Sequence, residues 1–295
     1  MPIANILTID LEEYFHPTEV QRSVAMEQWG SLPSRVEAQT QWVLEQLERH
    51  SVRATFFVLG WVAERFPKLV ARIAAAGHEI GCHSYAHQLV YDLTPEQFRG
   101  DTRRALNAIN DAIGGAAPVR AYRAPSYSIT SRSLWALEIL VECGIVCDSS
   151  IYPIAHDRYG IPGFERHAHT LRTPSGPILE VPIATSRLSH GALAPVGGGA
   201  YLRLLPYRYT AAGIRRVNRR EGQPACIYFH PWEIDPDHPR LASGAASRLR
   251  TYTGMRGMRR KIERLLADFR FAALETVYPY EKVDRSGVSV SAAAF

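Results

Sequence analysis

Residues 77–94 read GHEIGCHSYAHQLVYDLT, which puts three histidines, His78, His83 and His87, within ten residues. His83 and His87 stand at H-x-x-x-H spacing, and a histidine here is a buried hydrogen-bonder, a surface residue or a metal ligand. Other chemistry-bearing residues lie far away in the chain. Asp10 lies in the run ANILTIDL and Glu12 and Glu13 follow it, Arg123 sits in VRAYRAPS, and His230 in CIYFHPWEI. Two imidazoles and a carboxylate are a common ligand set for a catalytic Zn²⁺ that keeps one position open for water. Such an ion acidifies its water and polarises a carbonyl, which suits amide hydrolysis. That reaction also needs a base for the water's proton and an acid for the departing amine. Asp10 and His230 are the groups left for these tasks.

Taken singly, each residue has a plainer reading. A lone histidine at a strand end is more often hydrogen-bonded scaffold than ligand, and Asp or Glu after a strand often caps a helix. The coincidence of four segments changes the balance, because of the elements that carry them. ANILTIDL, RATFFVLG, HEIGCHS, VRAYRAPS, IVCDSS, ILEVPIAT and ACIYFHPWEI read as strands. Between them lie helical patterns: SRVEAQTQWVLEQLERH, with Val36, Val43, Leu44 and Leu47 on one face, and a helix over about residues 61–76. TPEQFRGDTRRALNAINDAIGG opens with Thr94 as cap, Pro95 and Gln97, and SRSLWALEILVECG follows. Later come a helix reaching about residue 219 and another over about residues 256–269. This alternation predicts βαβ units and a parallel α/β sheet. In a parallel α/β barrel all strand C-termini open on one face, where carboxylates, imidazoles and guanidinium would meet.

The chain has 295 residues, 46% hydrophobic and 21% charged, with a net charge of +5 and a pI near 9.1. That supports one α/β domain over residues 1–280, with residues 281–295 (ending SGVSVSAAAF) a frayed C-terminal tail. Basic residues are not gathered in a tract. MRGMRRKIERLL (residues 255–266) reads as the solvated face of a helix, so no nucleic-acid partner is expected. The N-terminus shows no signal peptide and no window suits a membrane span, which points to the cytoplasm. Cys82, Cys143, Cys147 and Cys226 form no paired C-x-x-C motif and read as reduced structural thiols. Residues 151–173, rich in Pro, Gly and His, read as a long loop insertion. His156, His167, His169 and His190 are expected in solvent, and GGGAY (residues 197–201) as a loop. Neither Ser126 nor Ser128 has a G-x-S-x-G setting for a nucleophile. Tyr85, Tyr127 and Trp232 are aromatics beside strand ends, which either pack at the rim or stack on a flat ligand face.

Over about residues 3–277 the chain resembles the polysaccharide deacetylases of the NodB-homology type, carbohydrate esterase family 4. It is most similar to the branch associated with exosortase and exopolysaccharide gene clusters. HSYAH after GHEIG stands where that family has H-[ST]-x-x-H, TIDLEE where it has T-F-D-D, RAPSY where it has R-x-P-Y, and IYFHPWE at its late strand. The resemblance implies a distorted (β/α) barrel with parallel strands and an irregular loop insertion. It implies a divalent metal, Zn²⁺ first with Co²⁺, Mn²⁺ and Ni²⁺ as alternatives, held by His83 and His87. It implies Asp10 as base, Arg123 paired with it, His230 as catalytic acid, and a backbone N–H of Ser126 or Tyr127 toward the oxyanion. The acidic pair is interrupted by Leu11. Residues i and i+2 of a strand share a face, so Glu12 is preferred to Glu13 as the carboxylate ligand. The family's acid that orients the catalytic histidine has no clear counterpart, with Asp148 and Glu180 as the nearest candidates. The expected activity is N-deacetylation of N-acetylhexosamine units in a polysaccharide or its precursor, with an N-acetylated glycan as substrate. Two alternatives are an allantoinase-like hydrolase of small cyclic amides and a catalytically silent carbohydrate-binding protein.

Overall fold

The computed structural model describes residues 3–188, 191–282 and 288–289. His190 and most of the expected tail lie outside these. The strands are β1 (Asn5–Leu11), β2 (Thr55–Val58), β3 (Glu79–Cys82), β4 (Ala121–Tyr122), β5 (Cys147–Asp148), β6 (His169–Thr173) and β7 (Gly176–Glu180), then β8 (Thr185–Arg187), β9 (Leu193–Pro195), β10 (Cys226–Phe229), β11 (Phe271–Ala272) and β12 (Val288–Ser289). The main sheet runs β10-β1-β2-β3-β4-β5-β7-β6-β12, with β11 also on β1. From β10 to β7 every ladder is parallel. Beyond β7 the chain keeps close to the other edge: Ala184 N–H donates to the Cys226 carbonyl at 3.1 Å. That bond draws the sheet round into a distorted barrel.

Strand alternation sorts the residues into two layers. On β1, Leu7, Ile9 and Leu11 pack with Val43 and Leu47 of the helix Val36–Arg49. Ile6 turns the other way and joins Phe57, Ala121, Cys147, Cys226 and Tyr228 inside the barrel. Each buried aliphatic side chain in these layers contributes about 1.5–3 kcal/mol. The interior is tight at Gly81, where a Cβ would stand 2.6 Å from the Phe57 ring.

Several expectations are corrected. The helix expected over residues 61–76 is two, Gly60–Arg65 and Pro67–Ala75, because Pro67 lacks the N–H to continue and Phe66 turns out of the helical region at φ −129°, ψ 57°. Pro206 likewise divides Gly199–Leu204 from Tyr207–Arg216. The sheet is not wholly parallel: β6 and β7 form an antiparallel hairpin with Thr173 opposite Gly176, turning through Pro174 and Ser175. β6 thus ends the insertion sooner, and β12 pairs with it although the tail was expected to fray. Thr94 caps Pro95–Ala112 reciprocally with Gln97, as its sequence suggested.

Asp148 and Glu180 face each other across β5 and β7, fully buried. Ser150 Oγ donates to Asp148 at 2.6 Å and Ile151 N–H to Glu180 at 3.0 Å, while Glu180 Oε2 finds no donor. Burial pushes both carboxyls above the usual range, and for Glu180 the Asp148 charge adds to it, which favours keeping a proton on the pair. A raised carboxyl pKa stabilises the fold below the unfolded value of about 4.3, and that stability drains as pH climbs toward the folded value. Glu180→Gln supplies an N–H in place of the proton. Its melting temperature is expected to exceed the wild type's at pH 8, with the gap closing toward pH 4. Parallel pH profiles would exclude a shared proton.

Candidate active site

Arg123 follows β4 into the barrel and is completely buried. Its Nη1 donates to Asp10 Oδ1 at 2.8 Å and Thr8 Oγ1 at 2.6 Å, its Nε to the Ser149 carbonyl at 3.0 Å, and its Nη2 to Ser149 Oγ at 2.8 Å. The guanidinium lies 4.3 Å over the Phe57 ring. Burial works against its charge, and the Asp10 carboxylate more than restores it. A buried cation without such partners would cost several kcal/mol.

The same residue fixes a histidine. The Arg123 carbonyl accepts from His83 Nδ1 at 2.7 Å. A carbonyl only accepts, so Nδ1 carries a proton, and it is Nε2 that is left to offer a lone pair to a cation. That lone pair faces Glu12 Oε1 at 3.0 Å, and His87 Nε2 lies 3.1 Å from the same oxygen. Burial would raise the Glu12 carboxyl, but His87, His230 and His83 hold it well below the usual range. Glu12, His83 and His87 are buried, with ligand atoms within 4.8 Å of one another. Lone pair and carboxylate opposed at hydrogen-bond distance suit a cation between them, so the donor set fits a divalent metal.

The loop that carries the histidines is held from several sides. Ser84 and His87 take left-handed backbones, with φ of 65° and 53°. Asp101, on the helix Pro95–Ala112, accepts from Tyr85 N–H at 2.9 Å and Ala86 N–H at 3.3 Å. The Gln21 amide stands 3.2 Å from His87 Nδ1. Strain of this kind persists only where the surroundings over-determine it.

Glu12 and Glu13 point to opposite faces, as alternation requires. Glu13 accepts from Ser34 Oγ, Arg35 N–H at 2.9 Å and Val36 N–H at 3.1 Å, so it caps the helix Val36–Arg49.

His230 follows β10 to the same rim. Its Nε2 is 3.8 Å from Asp10 Oδ2 and 3.7 Å from Glu12 Oε1. Neither Asp148 nor Glu180 orients it. Glu233 does, with Oε2 3.0 Å from His230 Nδ1, and Arg203 Nε donates to its other oxygen at 2.9 Å. Pro231 opens a 3₁₀ turn that brings residues i and i+3 together, a signal legible in HPWE. Burial would lower the His230 pKa, but Glu12, Glu233 and Asp10 lift it to about 9. Burial would raise Glu233, yet the bond and charge of His230, then Arg203, pull it down to about 2.

Asp10, Glu12, His83, His87, Ser126, Tyr127, His230 and Trp232 all line one cavity of about 120 Å³. Trp232 stacks on the His230 ring at 5.2 Å, and Tyr127 packs edge-on to Tyr228 at 5.0 Å. Ser126 and Tyr127 are both left-handed, with φ of 49° and 55°, and Tyr127 N–H is taken by the Ala124 carbonyl at 3.1 Å. Of the two oxyanion candidates, Ser126 N–H is the one not spent there. Tyr85 leaves the candidate set: its ring is buried among helices, Arg104 covers it at 3.6 Å, and its hydroxyl donates to Glu64 at 2.6 Å. The GGGAY run is more than a loop. It opens the helix Gly199–Leu204 and lines the cavity, with Gly198 at φ 125° where a Cβ would meet the Tyr228 ring. His156 is not free in solvent either but stacks on Tyr159 at 3.8 Å.

Residues 30–145 match the family described as polysaccharide deacetylase, and residues 149–279 match a domain of unknown function, DUF3473. A peptidoglycan-N-acetylglucosamine deacetylase of Bacillus cereus is 38% identical over 97 residues, 32% of this chain and 34% of that protein. A chitooligosaccharide deacetylase of Bradyrhizobium sp. is 36% identical over 94 residues, 32% of this chain and 42% of that protein. The matches thus span well under half of either relative's length. The fold is similar to the crystal structure of a Mycobacterium smegmatis protein assigned to the polysaccharide deacetylases, with a TM-score of 0.61 and 18% identity over 96% of both chains.

The two adjacent acids are separable by experiment. Glu12→Gln is expected to lose bound divalent metal by elemental analysis while keeping the wild-type melting temperature or exceeding it. Glu13→Gln should keep its metal and lose about 0.5–2 kcal/mol of stability with the helix cap. The reverse pattern would transfer the ligand role to Glu13.

Proposed function

We propose that this chain, whose residues 30–145 match the polysaccharide deacetylase family, is a metal-dependent N-deacetylase of N-acetylhexosamine units in a glycan or its precursor. The observation that carries this reading is the Glu12–His83–His87 group set beside the Asp10–Arg123 pair and His230 on one cavity wall. A divalent cation held by Glu12, His83 and His87, with Zn²⁺ the first candidate, would supply Lewis acidity toward the amide carbonyl and its attacking water.

The chain's own groups account for the rest. Arg123 aims the Asp10 carboxylate, which takes the water's proton as the acetamide carbon is attacked. Ser126 N–H faces the oxygen that gains charge. His230, oriented through Nδ1 by Glu233, donates from Nε2 to the amine as the C–N bond breaks, so acetate and a free amine leave. Four free cysteines, three of them buried, suit a reducing compartment and support a cytoplasmic place of action. No helix among the described residues is long and apolar enough to cross a membrane. One observation favours the rival small-amide reading: about 120 Å³ falls below the ~300–1,000 Å³ of ordinary ligand pockets. Acetate released from N-acetylglucosamine oligomers, set against ring opening of allantoin, separates the two readings.

Asp10→Asn is expected to retain metal and fold while acetate release falls about 10²–10⁴-fold. Rates near wild type would remove Asp10 as the base.

His230 must be protonated when the amine leaves, so turnover is lost as pH rises through its pKa. A cation on Glu12 withdraws part of the support for the value near 9, placing the alkaline limb at or below it. Glu233→Gln removes a further carboxylate, and the limb should move down by about one unit or more with kcat reduced. An unmoved limb with normal kcat would show that Glu233 does not act through His230.

A further inference from the structure

One contact crosses the cavity mouth between segments 139 residues apart: Arg158 Nη2 donates to Glu19 Oε1 at 2.6 Å. Glu19 belongs to a strap laid over the site, the short helix Thr18–Gln21. Thr18 Oγ1 lies 2.9 Å from Ser126 Oγ, so the strap also touches the loop that offers the oxyanion N–H. Arg158 comes from the insertion between β5 and β6. Both residues line the cavity, as does the exposed side chain of Arg250.

The Arg158 fork is only partly used. Its Nε is buried without a partner, so Glu19 holds it through a single N–H. A guanidinium meets a carboxylate best through two parallel bonds, and a buried unpaired donor carries a desolvation cost. The partly open cavity behind, at about 120 Å³, is also below the ~300–1,000 Å³ of ordinary ligand pockets. The strap must therefore yield before a glycan enters, and it is pinned by a carboxylate on an arginine.

We propose that Glu19 holds the place of an acidic group of the glycan. The carboxylate of a hexuronic acid unit beside the reacting N-acetylhexosamine takes Arg158 through both Nε and Nη2, with Arg250 adding positive charge at the rim. Glu19 is released in the exchange, and the strap lifts from the mouth. A carboxylate is favoured over a phosphate because the group it replaces is a carboxylate. The inference rests on the deacetylase reading for its reaction but not for its binding.

The test compares two soluble probes on the zinc-loaded full chain. One is a tetrasaccharide alternating N-acetylglucosamine with glucuronic acid, and the other is the neutral N-acetylglucosamine tetramer. Acetate release gives kcat/KM, and calorimetry at low and high salt gives Kd. The acidic probe is expected to be preferred about tenfold, the size of one charge-assisted hydrogen bond, and the preference should shrink with salt. Arg158→Gln should erase the preference, Arg158→Lys should keep part of it, and Glu19→Gln should lower KM for the acidic probe. Should Arg158→Gln fail to fold, the other two variants carry the same comparison. Equal kcat/KM and Kd for the two probes in the wild type, or a ratio untouched by these substitutions, would overturn the inference alone. Tighter binding of the acidic probe through Arg158 with no acetate from either would support it while sinking the reaction reading.

Discussion

A fully buried guanidinium inside a barrel is the constraint on which the remaining structure depends. Arg123 has to be neutralised and hydrogen-bonded, and the groups that do so come from β1 and from the chain beyond β5. Satisfying one cation thereby sets the distance between strands far apart in sequence. It fixes the direction of the Asp10 carboxylate, and through its carbonyl the tautomer of His83. Gly81 has no side chain for a reason of the same kind, since the Phe57 ring beneath the guanidinium fills that space. The chemistry-bearing residues are thus a by-product of making the charge tolerable.

Period-two alternation does the next share of the work. It sends Leu7, Ile9 and Leu11 toward the helices while Asp10 and Glu12 face the cavity. Two neighbouring glutamates of identical chemistry acquire opposite duties, one among imidazoles and the other on a helix N-terminus. Nothing but the direction of each Cα–Cβ bond separates them.

What was legible in the sequence follows from how local each cause is. The capped helix Pro95–Ala112 and the H-x-x-x-H pair are short-range patterns, and they were readable. So was the divergence of Glu12 and Glu13 to opposite faces, because strand geometry alone decides it. The break at Pro67 was equally local and was passed over. The orienting acid is different: Glu233 lies three residues from His230, but its role depends on a 3₁₀ turn and on Arg203 from another helix. Tyr85 was misplaced because an aromatic next to a ligand loop turns toward the site or toward the helices, and only packing decides which. The Glu19–Arg158 contact joins a strap to an insertion, two irregular segments with no periodicity to read.

The position of β1 between β2 and β10 also has a consequence for how the chain reaches its native state. Thr8 donates to the carbonyl of Ile227, 219 residues away, and the family boundary near residue 145 falls between strands of one continuous sheet. During synthesis the first strand therefore waits with one edge bare until β10 has emerged. Non-local pairing of this kind slows folding and leaves an apolar strand open to wrong partners. A chain cut at that boundary would keep His83, His87 and Glu12 but would lose His230 and expose the flank of β1. The two matched segments contribute strands to one sheet, so neither completes it without the other.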